Sequence, residues 1–344
     1  MNKVYMYPPE SKENQYIELV QNSIRNAGYE IISEKNLKNE FKDINTFIFN
    51  WYEVLGHEKI FRIFVKKFFK ILYLKFKSKK IVWVVHNSKP HGESSRLPIY
   101  FMKFMLRISD NIMILSDDTR KVLYGLNNKV RKYESKVVKV PLPNYISIYK
   151  ELSKEKDIHH NGINFLFIGL IRRYKNVELL IEVFNELREE NINLQITGNC
   201  KDDVLRKKLI ELSKSNSNIN LDFRFISNDE MAGLIGESDI IVLPFDNESS
   251  LNSSTIMLAF SCKKTVVSPL IATLNEYSNK EFFYSYEYRN PLEHKKKLIN
   301  VLRQVIKDYQ LNDNILKEKG EYAYKIVREN NSLDKLSEIY KTFL

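Results

Sequence analysis

The sequence predicts an α/β fold of two doubly wound domains, each a parallel sheet with helices on both faces. Short, continuous apolar runs alternate with amphipathic stretches along most of the 344 residues. A strand buried on both faces reads as an unbroken apolar run, and right-handed crossovers wind such strands into one sheet. The alternation breaks at SIYKELSKEKDIHHNG (147–162), which has few core-forming residues. The chain is also long enough for two cores of ordinary size.

In the first half, KVYMY (3–7) reads as a strand and leads into a helix over 14–27. TFIFNW (46–51), KIVWVVH (80–86) and NIMILS (111–116) are further strands, and KVVKVPLP (136–143) closes this half. In the second half NFLFIG (164–169) is a buried strand and NVELLIEVFNELREE (176–190) an amphipathic helix. LQITG (194–198), LDFRF (221–225), DIIVLPF (239–245) and TVVSP (265–269) continue the strands. Helices over 202–215, 228–237 and 252–262 separate them. The expected organisation is a domain over 1–146, a linker over 147–162 and a domain over 163–311. Residues 312–344 form a helical tail, which in a two-domain arrangement can return to the first domain.

The two cysteines, Cys200 and Cys262, have no metal-ligand spacing, which argues against structural zinc or a disulfide framework. The polar, proline-broken start does not read as a signal peptide. No apolar run reaches the ~20 residues of a bilayer span. A cytoplasmic protein is the expectation. A net charge of +11 implies an anionic partner. No GxGxxG, Walker or Asp-x-Asp pattern occurs, which sets aside the usual dinucleotide and ATPase signatures and a carboxylate metal clamp. Nucleic acid is not expected, because no recognised module accompanies the charge.

In FLFIGLIRRYKNVELL a strand ends at Gly169, and Arg172, Arg173 and Lys175 cluster before a helix begins. Cations beside helix N-terminal amides make an anion site suited to a pyrophosphate. A solvated basic loop is the plainer reading. In VWVVHNSKPHGE (82–93) a strand ends at His86, which puts the imidazole at the carboxyl end of the sheet, where such folds bind ligands. The plainer reading is a histidine satisfied by local backbone. In NSSTIMLAFSC, Ser253 and Ser254 open a helix and suit either a phosphate or an ordinary N-cap. From 59 to 80, Lys66, Lys67 and Lys70 are interleaved with Phe68 and Phe69. Such a helix lies either in an anionic membrane interface or on a core with a solvated lysine face.

These segments resemble the GT-B glycosyltransferases, and in particular family 4 (group 1) enzymes of bacterial surface polysaccharide assembly. Gly169, Ile171, Arg172 and Lys175 match the family's Gly-x-Ile/Leu-Arg-x-x-Lys pattern. The resemblance implies two Rossmann-like domains facing a cleft, with Arg172 and Lys175 on the donor diphosphate. It implies His86 beside the donor sugar, with His91 and Glu93 as further candidates and Asn87 in the same segment. ENQY (13–16) resembles an Asn-Pro-Tyr motif and would bring Asn14 and Tyr16 to the cleft, although Asn14 also suits a helix cap and Tyr16 a core. The chain departs from the family at Ser250 and Leu258, where many members carry two glutamates eight positions apart; Glu248 is two positions off. Lys263 and Thr265 replace the usual Gly and Pro.

The activity implied is metal-independent transfer of a sugar from a UDP- or GDP-linked donor to a lipid-linked or glycan acceptor, in capsule or surface polysaccharide synthesis. No cofactor is expected beyond the nucleotide sugar. The protein would work at the inner face of the membrane. Glu93, Glu10 and His91 are the candidates for a general base, which an inverting enzyme needs. The missing glutamates keep a second reading open: a catalytically inactive subunit that binds a partner enzyme or acceptor.

Overall fold

The structure, a computed structural model, describes residues 2–11, 15–56, 59–86, 96–127, 130–149, 162–188, 190–247 and 250–344. Two compact units emerge: Met1–Pro143 with Asn331–Leu344, and Asn144–Asn330.

The first unit is built on six parallel strands: β1 (Lys3–Tyr7), β2 (Glu30–Ile31), β3 (Ile44–Asn50), β4 (Lys80–Val85), β5 (Asn111–Ile114) and β6 (Val137–Lys139). Their order is β2-β1-β3-β4-β5-β6. The chain steps outward from β1 to β2, then returns to the other side of β1. The loops after β1 and β3 therefore diverge, which makes their carboxyl ends the natural ligand position. Helices α1 (Tyr16–Asn26), α2 (Ile60–Phe76), α3 (Leu97–Ile108) and α4 (Thr119–Leu126) complete this half. The core is aromatic, with Tyr5, Phe47, Phe49, Trp83 and Phe101 buried together.

The second unit repeats the plan with β7 (Ile163–Ile168), β8 (Ile192–Thr197), β9 (Ile219–Asp222), β10 (Ile240–Val242), β11 (Thr265–Pro269) and β12 (Tyr284–Tyr286). All are parallel, in the order β12-β11-β10-β7-β8-β9, so the switch point falls between β7 and β10. Its helices are α5 (Val177–Glu186), α6 (Asp203–Ser213), α7 (Asn228–Glu237), α8 (Ser254–Ser261), α9 (Ala272–Asn275), α10 (Pro291–Leu311) and α11 (Ile315–Asn330). The last helix, α12 (Leu333–Phe343), packs on α1 in the first unit. The tail is thus shared: α11 packs on α8, α12 on α1.

Several helices end the same way. After α1, Gly28 takes φ +94°, its N–H bonds Arg25 C=O and the next N–H, of Tyr29, bonds Ile24 C=O. Ser78 after α2 and Lys263 after α8 repeat this pattern at φ +54° and +57°. This left-handed cap satisfies carbonyls the helix leaves open, and glycine adopts it most cheaply.

The strand read over 221–225 sits earlier, at Ile219–Asp222. Leu194 of β8 pairs with Ile219 and Thr197 with Asp222. Arg224 is drawn out of the sheet by ion pairs to Asp222 and Glu230. Of 136–143, Val137–Lys139 pairs with β5, and Pro141 and Pro143 lack the N–H a ladder needs. Helices α3, α4, α9 and α10 and strands β2 and β12 carry no element in the sequence reading.

Candidate functional site

The richest chemistry in the second unit lies at its switch point. Gly169 follows β7 with φ +125°, and its N–H donates to Thr197 C=O at 3.1 Å. Gly198, at φ +148°, passes so close that a Cβ there would overlap the Gly169 carbonyl. The loop then turns through a short 3-10 segment, Arg173–Lys175, into α5.

The three cations have different fates. Arg173 is committed to Asp202, with nitrogens at 2.9 and 3.0 Å, and Asp202 in turn caps α6. Arg172 is exposed. Lys175 is buried, 9% exposed, its ammonium 5.4 Å from the Phe245 ring centre and 6.0 Å from that of Phe167. Among the described residues no carboxylate pairs with it. Burial first, and the Arg172 charge second, lower its pKa to about 8. An ammonium taken out of water loses several kcal/mol of hydration, which ring faces offset only in part. Lys175 is thus a desolvated cation at the switch point with no counter-charge among the described residues.

The segment after β10 forms the other wall. Asp246 N–H donates to Tyr174 C=O at 3.0 Å, tying this wall to the basic loop. Ser253 caps α8: its Oγ accepts from Ile256 N–H at 3.4 Å, and its own N–H donates to Thr273 Oγ1 at 2.9 Å. The Ser253 hydroxyl thus serves as the N-cap of α8, and Ser254 is the first residue of that helix. Ser250 and Leu258 are both buried.

In the first unit, His86 follows β4 and is 6% exposed. Its Nε2 lies 2.9 Å from Asn50 Oδ1, and Asn50 Nδ2 donates to Tyr7 C=O at 3.1 Å. That orientation of the amide makes Nε2–H the donor, so the lone pair sits on Nδ1. Burial lowers the His86 pKa to about 3, which keeps the imidazole neutral. Trp51 stacks on it at 4.0 Å, and Tyr16 meets it edge-on at 5.4 Å. Trp51 has φ +49°, an outlier for a bulky residue, of the kind that concentrates at functional sites. Sequence reasoning missed Trp51 and Asn50; the signal was the Asn-Trp pair closing a strand beside the histidine strand. Tyr16 is core, 2% exposed, yet it packs on His86. Asn14, Asn87, His91, Glu93 and Glu248 lie outside the described residues.

The expectation for α2 needs correcting. Lys67 and Phe68 do not face outward. Lys67 donates to Tyr52 C=O and Val54 C=O at 2.8 and 2.7 Å, over the Tyr52 ring. Phe68 packs against Phe104 with ring centres 4.4 Å apart. Lys70 is half-buried, its pKa lowered chiefly by burial. Lys66 and Phe69 are exposed. The outward stripe is Phe61, Phe69, Leu72 and Phe76, which the helical period aligns, and Phe61, Phe69 and Phe76 are 67%, 62% and 79% exposed. Exposed Arg62, Lys66 and Lys77 flank it. No described helix is long and apolar enough to cross a membrane, and no described cluster of His, Cys, Asp and Glu groups three or more at metal-holding distance.

Residues 162–304 match a family model described as glycosyl transferases group 1. A GDP-mannose:glycolipid 4-beta-D-mannosyltransferase of Xanthomonas campestris pv. campestris is 28% identical over 104 residues, 30% of this chain and 29% of that protein. The chain thus spans less than a third of that relative's length. An uncharacterized glycosyltransferase of Methanocaldococcus jannaschii is 23% identical over an alignment covering 98% of this chain and 88% of that one. Among solved structures, Anabaena HepE in complex with UDP and glucose superposes with a TM-score of 0.72 over 99% of both chains, at 10% identity. At that identity the likeness shows the fold, which is the two-sheet GT-B architecture.

Proposed function

We propose that this protein of GT-B fold, whose residues 162–304 match a family model described as glycosyl transferases group 1, transfers a sugar from a nucleotide-diphosphate donor to a lipid-linked glycan acceptor in surface or capsular polysaccharide synthesis. One observation carries the reading: Lys175 is a buried cation without a carboxylate partner among the described residues, beside exposed Arg172 at the switch point of the second sheet. A diphosphate supplies the missing charge. HepE holding UDP and glucose, and a glycolipid mannosyltransferase among the relatives, support the donor and acceptor classes.

In the reaction the anomeric carbon–oxygen bond to the donor phosphate breaks, the acceptor hydroxyl oxygen takes its place, and the hydroxyl proton passes to the departing diphosphate. Negative charge grows on the departing diphosphate. Lys175 and Arg172 neutralise it as preorganised cations, so no metal is required for this step. Gly169 lets the backbone approach the phosphates, and the amide opening α8 at Ser254 offers a further donor. The first unit serves the acceptor and the transferred sugar. There neutral His86 acts as a hydrogen-bonding group rather than a cation, oriented by Asn50. Asn14, Asn87, His91, Glu93 and Glu248 belong to segments flanking these groups in sequence and complete the proposal. The outward stripe of α2, with its basic flanks, would rest on the anionic inner leaflet and bring the enzyme to its acceptor.

Ser250 and Leu258, in place of two glutamates, favour one rival: a non-catalytic subunit. Nucleotide-dependent thermal stabilisation separates the two. UDP or GDP at 100 times its dissociation constant should add about 2.7 kcal/mol to wild-type stability, and Lys175→Ala or Arg172→Ala should abolish that gain and lower turnover at least ~10-fold. Stabilisation by neither nucleotide would leave the non-catalytic subunit as the better account.

A further inference from the structure

Next to the basic loop, a pair of stacked rings reaches into the donor wall from the far edge of the second sheet. His294, in the first turn of α10, is 3% exposed. Its Nε2 lies 2.9 Å from the Tyr286 hydroxyl at the end of β12. Its ring lies flat on that of Tyr288, with centres 3.8 Å apart and 7° between the planes. With Tyr286 bonded on one side and Tyr288 stacked on the other, the imidazole fixes where the Tyr288 ring can stand.

The Tyr288 hydroxyl is in turn bonded on both sides of Asp246. It donates to Phe245 C=O at 3.2 Å and accepts Asn247 N–H at 2.9 Å. The Asn247 side-chain amide adds a bond to Tyr288 C=O at 3.3 Å. Phe245, Asp246 and Asn247 form the bend that follows β10. Through that bend Asp246 N–H holds Tyr174 C=O, and the Phe245 ring covers the Lys175 ammonium. A phenol from the strand-edge side of the sheet therefore sets the position of the wall that desolvates the phosphate-binding lysine.

We infer that Tyr288, braced by His294, is a positioning residue for the donor site, pinning the 245–247 bend so that the diphosphate pocket around Lys175 is formed before the nucleotide arrives. The inference rests on the proposed donor function. Tyr288 does not touch the reacting atoms in this scheme; it acts through Phe245 and Asp246. A pocket held ready in this way spares the ligand the cost of ordering it, so the loss of the pin appears in binding before it appears in chemistry.

The test compares wild type, Tyr288→Phe and His294→Phe. Tyr288→Phe keeps the stacked ring and removes both hydroxyl bonds; His294→Phe keeps a ring for the stack and removes the bond to Tyr286. Calorimetric titration with UDP and GDP gives the dissociation constants, and steady-state kinetics gives donor KM and kcat. For Tyr288→Phe we expect the dissociation constant and donor KM to rise about tenfold, the scale of one or two neutral hydrogen bonds, with kcat within about twofold of wild type. His294→Phe should move the same constants in the same direction by a smaller factor. Wild-type nucleotide affinity in Tyr288→Phe would overturn the inference and leave the donor assignment standing. So would a fall in kcat equal to the loss of binding, which marks general loosening. Failure of the wild-type protein to bind either nucleotide would overturn the donor assignment and this inference with it.

Discussion

Gly198 and Gly169 are fitted against each other at the ends of β8 and β7: a Cβ on Gly198 would run into the Gly169 carbonyl oxygen. Gly198 also stands at φ +148°, outside the range of ordinary L-residues. Gly198→Ala should therefore cost ~1–3 kcal/mol from the backbone alone, with the overlap adding to it. Because Gly169 opens the basic loop, nucleotide binding should weaken as well. Denaturant unfolding and nucleotide titration check both effects, and unchanged affinity in a destabilised variant would uncouple this contact from the site.

Lys175 makes the site sensitive to pH. Its folded pKa is about 8, against about 10.4 for a free lysine. Between those values the unfolded chain retains a proton that the folded chain has released. The ligand-free protein should therefore gain stability from this group as pH rises through that window. Nucleotide binding runs the other way, because a diphosphate prefers the charged ammonium. Affinity should be level from about pH 7 upward until it falls near pH 8, and Lys175→Arg should flatten that fall. Parallel pH profiles for the two proteins would remove Lys175 from the phosphate contact.

The outward stripe of α2 predicts a lipid response with a defined geometry. Phe69→Asp with Phe76→Asp should abolish sedimentation with phosphatidylglycerol vesicles and leave the melting temperature nearly unchanged, since both side chains are exposed. Lys67→Ala should do the reverse: it removes two hydrogen bonds to Tyr52 and Val54, lowering stability with little effect on vesicle binding. Vesicle binding by the double variant equal to wild type would place the membrane contact elsewhere.

Lys263 occupies the left-handed position that closes α8, at φ +57°, where the resembling family usually has glycine. Its side chain contributes an exposed contact to Glu321 at 3.7 Å and a ring approach to Tyr324, worth little at a surface. The left-handed penalty for a lysine is ~1–2 kcal/mol, offset in part by the greater freedom of glycine in the unfolded chain. Lys263→Gly should thus stabilise by somewhat under ~1 kcal/mol, seen as a higher denaturant midpoint at unchanged slope. A lower midpoint would mean that the Glu321 and Tyr324 contacts outweigh the backbone strain.

Much of this protein was determined locally. Unbroken apolar runs such as NFLFI and IVWVV carry their own signal for strands covered on both faces, and the Gly169-to-Lys175 segment carries its own signal for a basic turn between a strand and a helix. The interleaved lysines and phenylalanines of α2 announce a helix with a basic surface. They do not announce which side is out: the turn angle is known from the sequence, but the core that Phe64 and Phe68 meet is made by Phe101 and Phe104 of α3. The same holds for the two switch points. That β10 lies beside β7, and β3 beside β1, is decided by long-range pairing, and only this sets which loops diverge to form a site. Lys175 looks like any loop lysine until Phe245, seventy residues on, covers it. Trp51 looks like the end of a strand until His86 stacks on it. Local pattern determined the elements and their chemistry; burial, which depends on neighbours remote in sequence, decided which of those groups is desolvated.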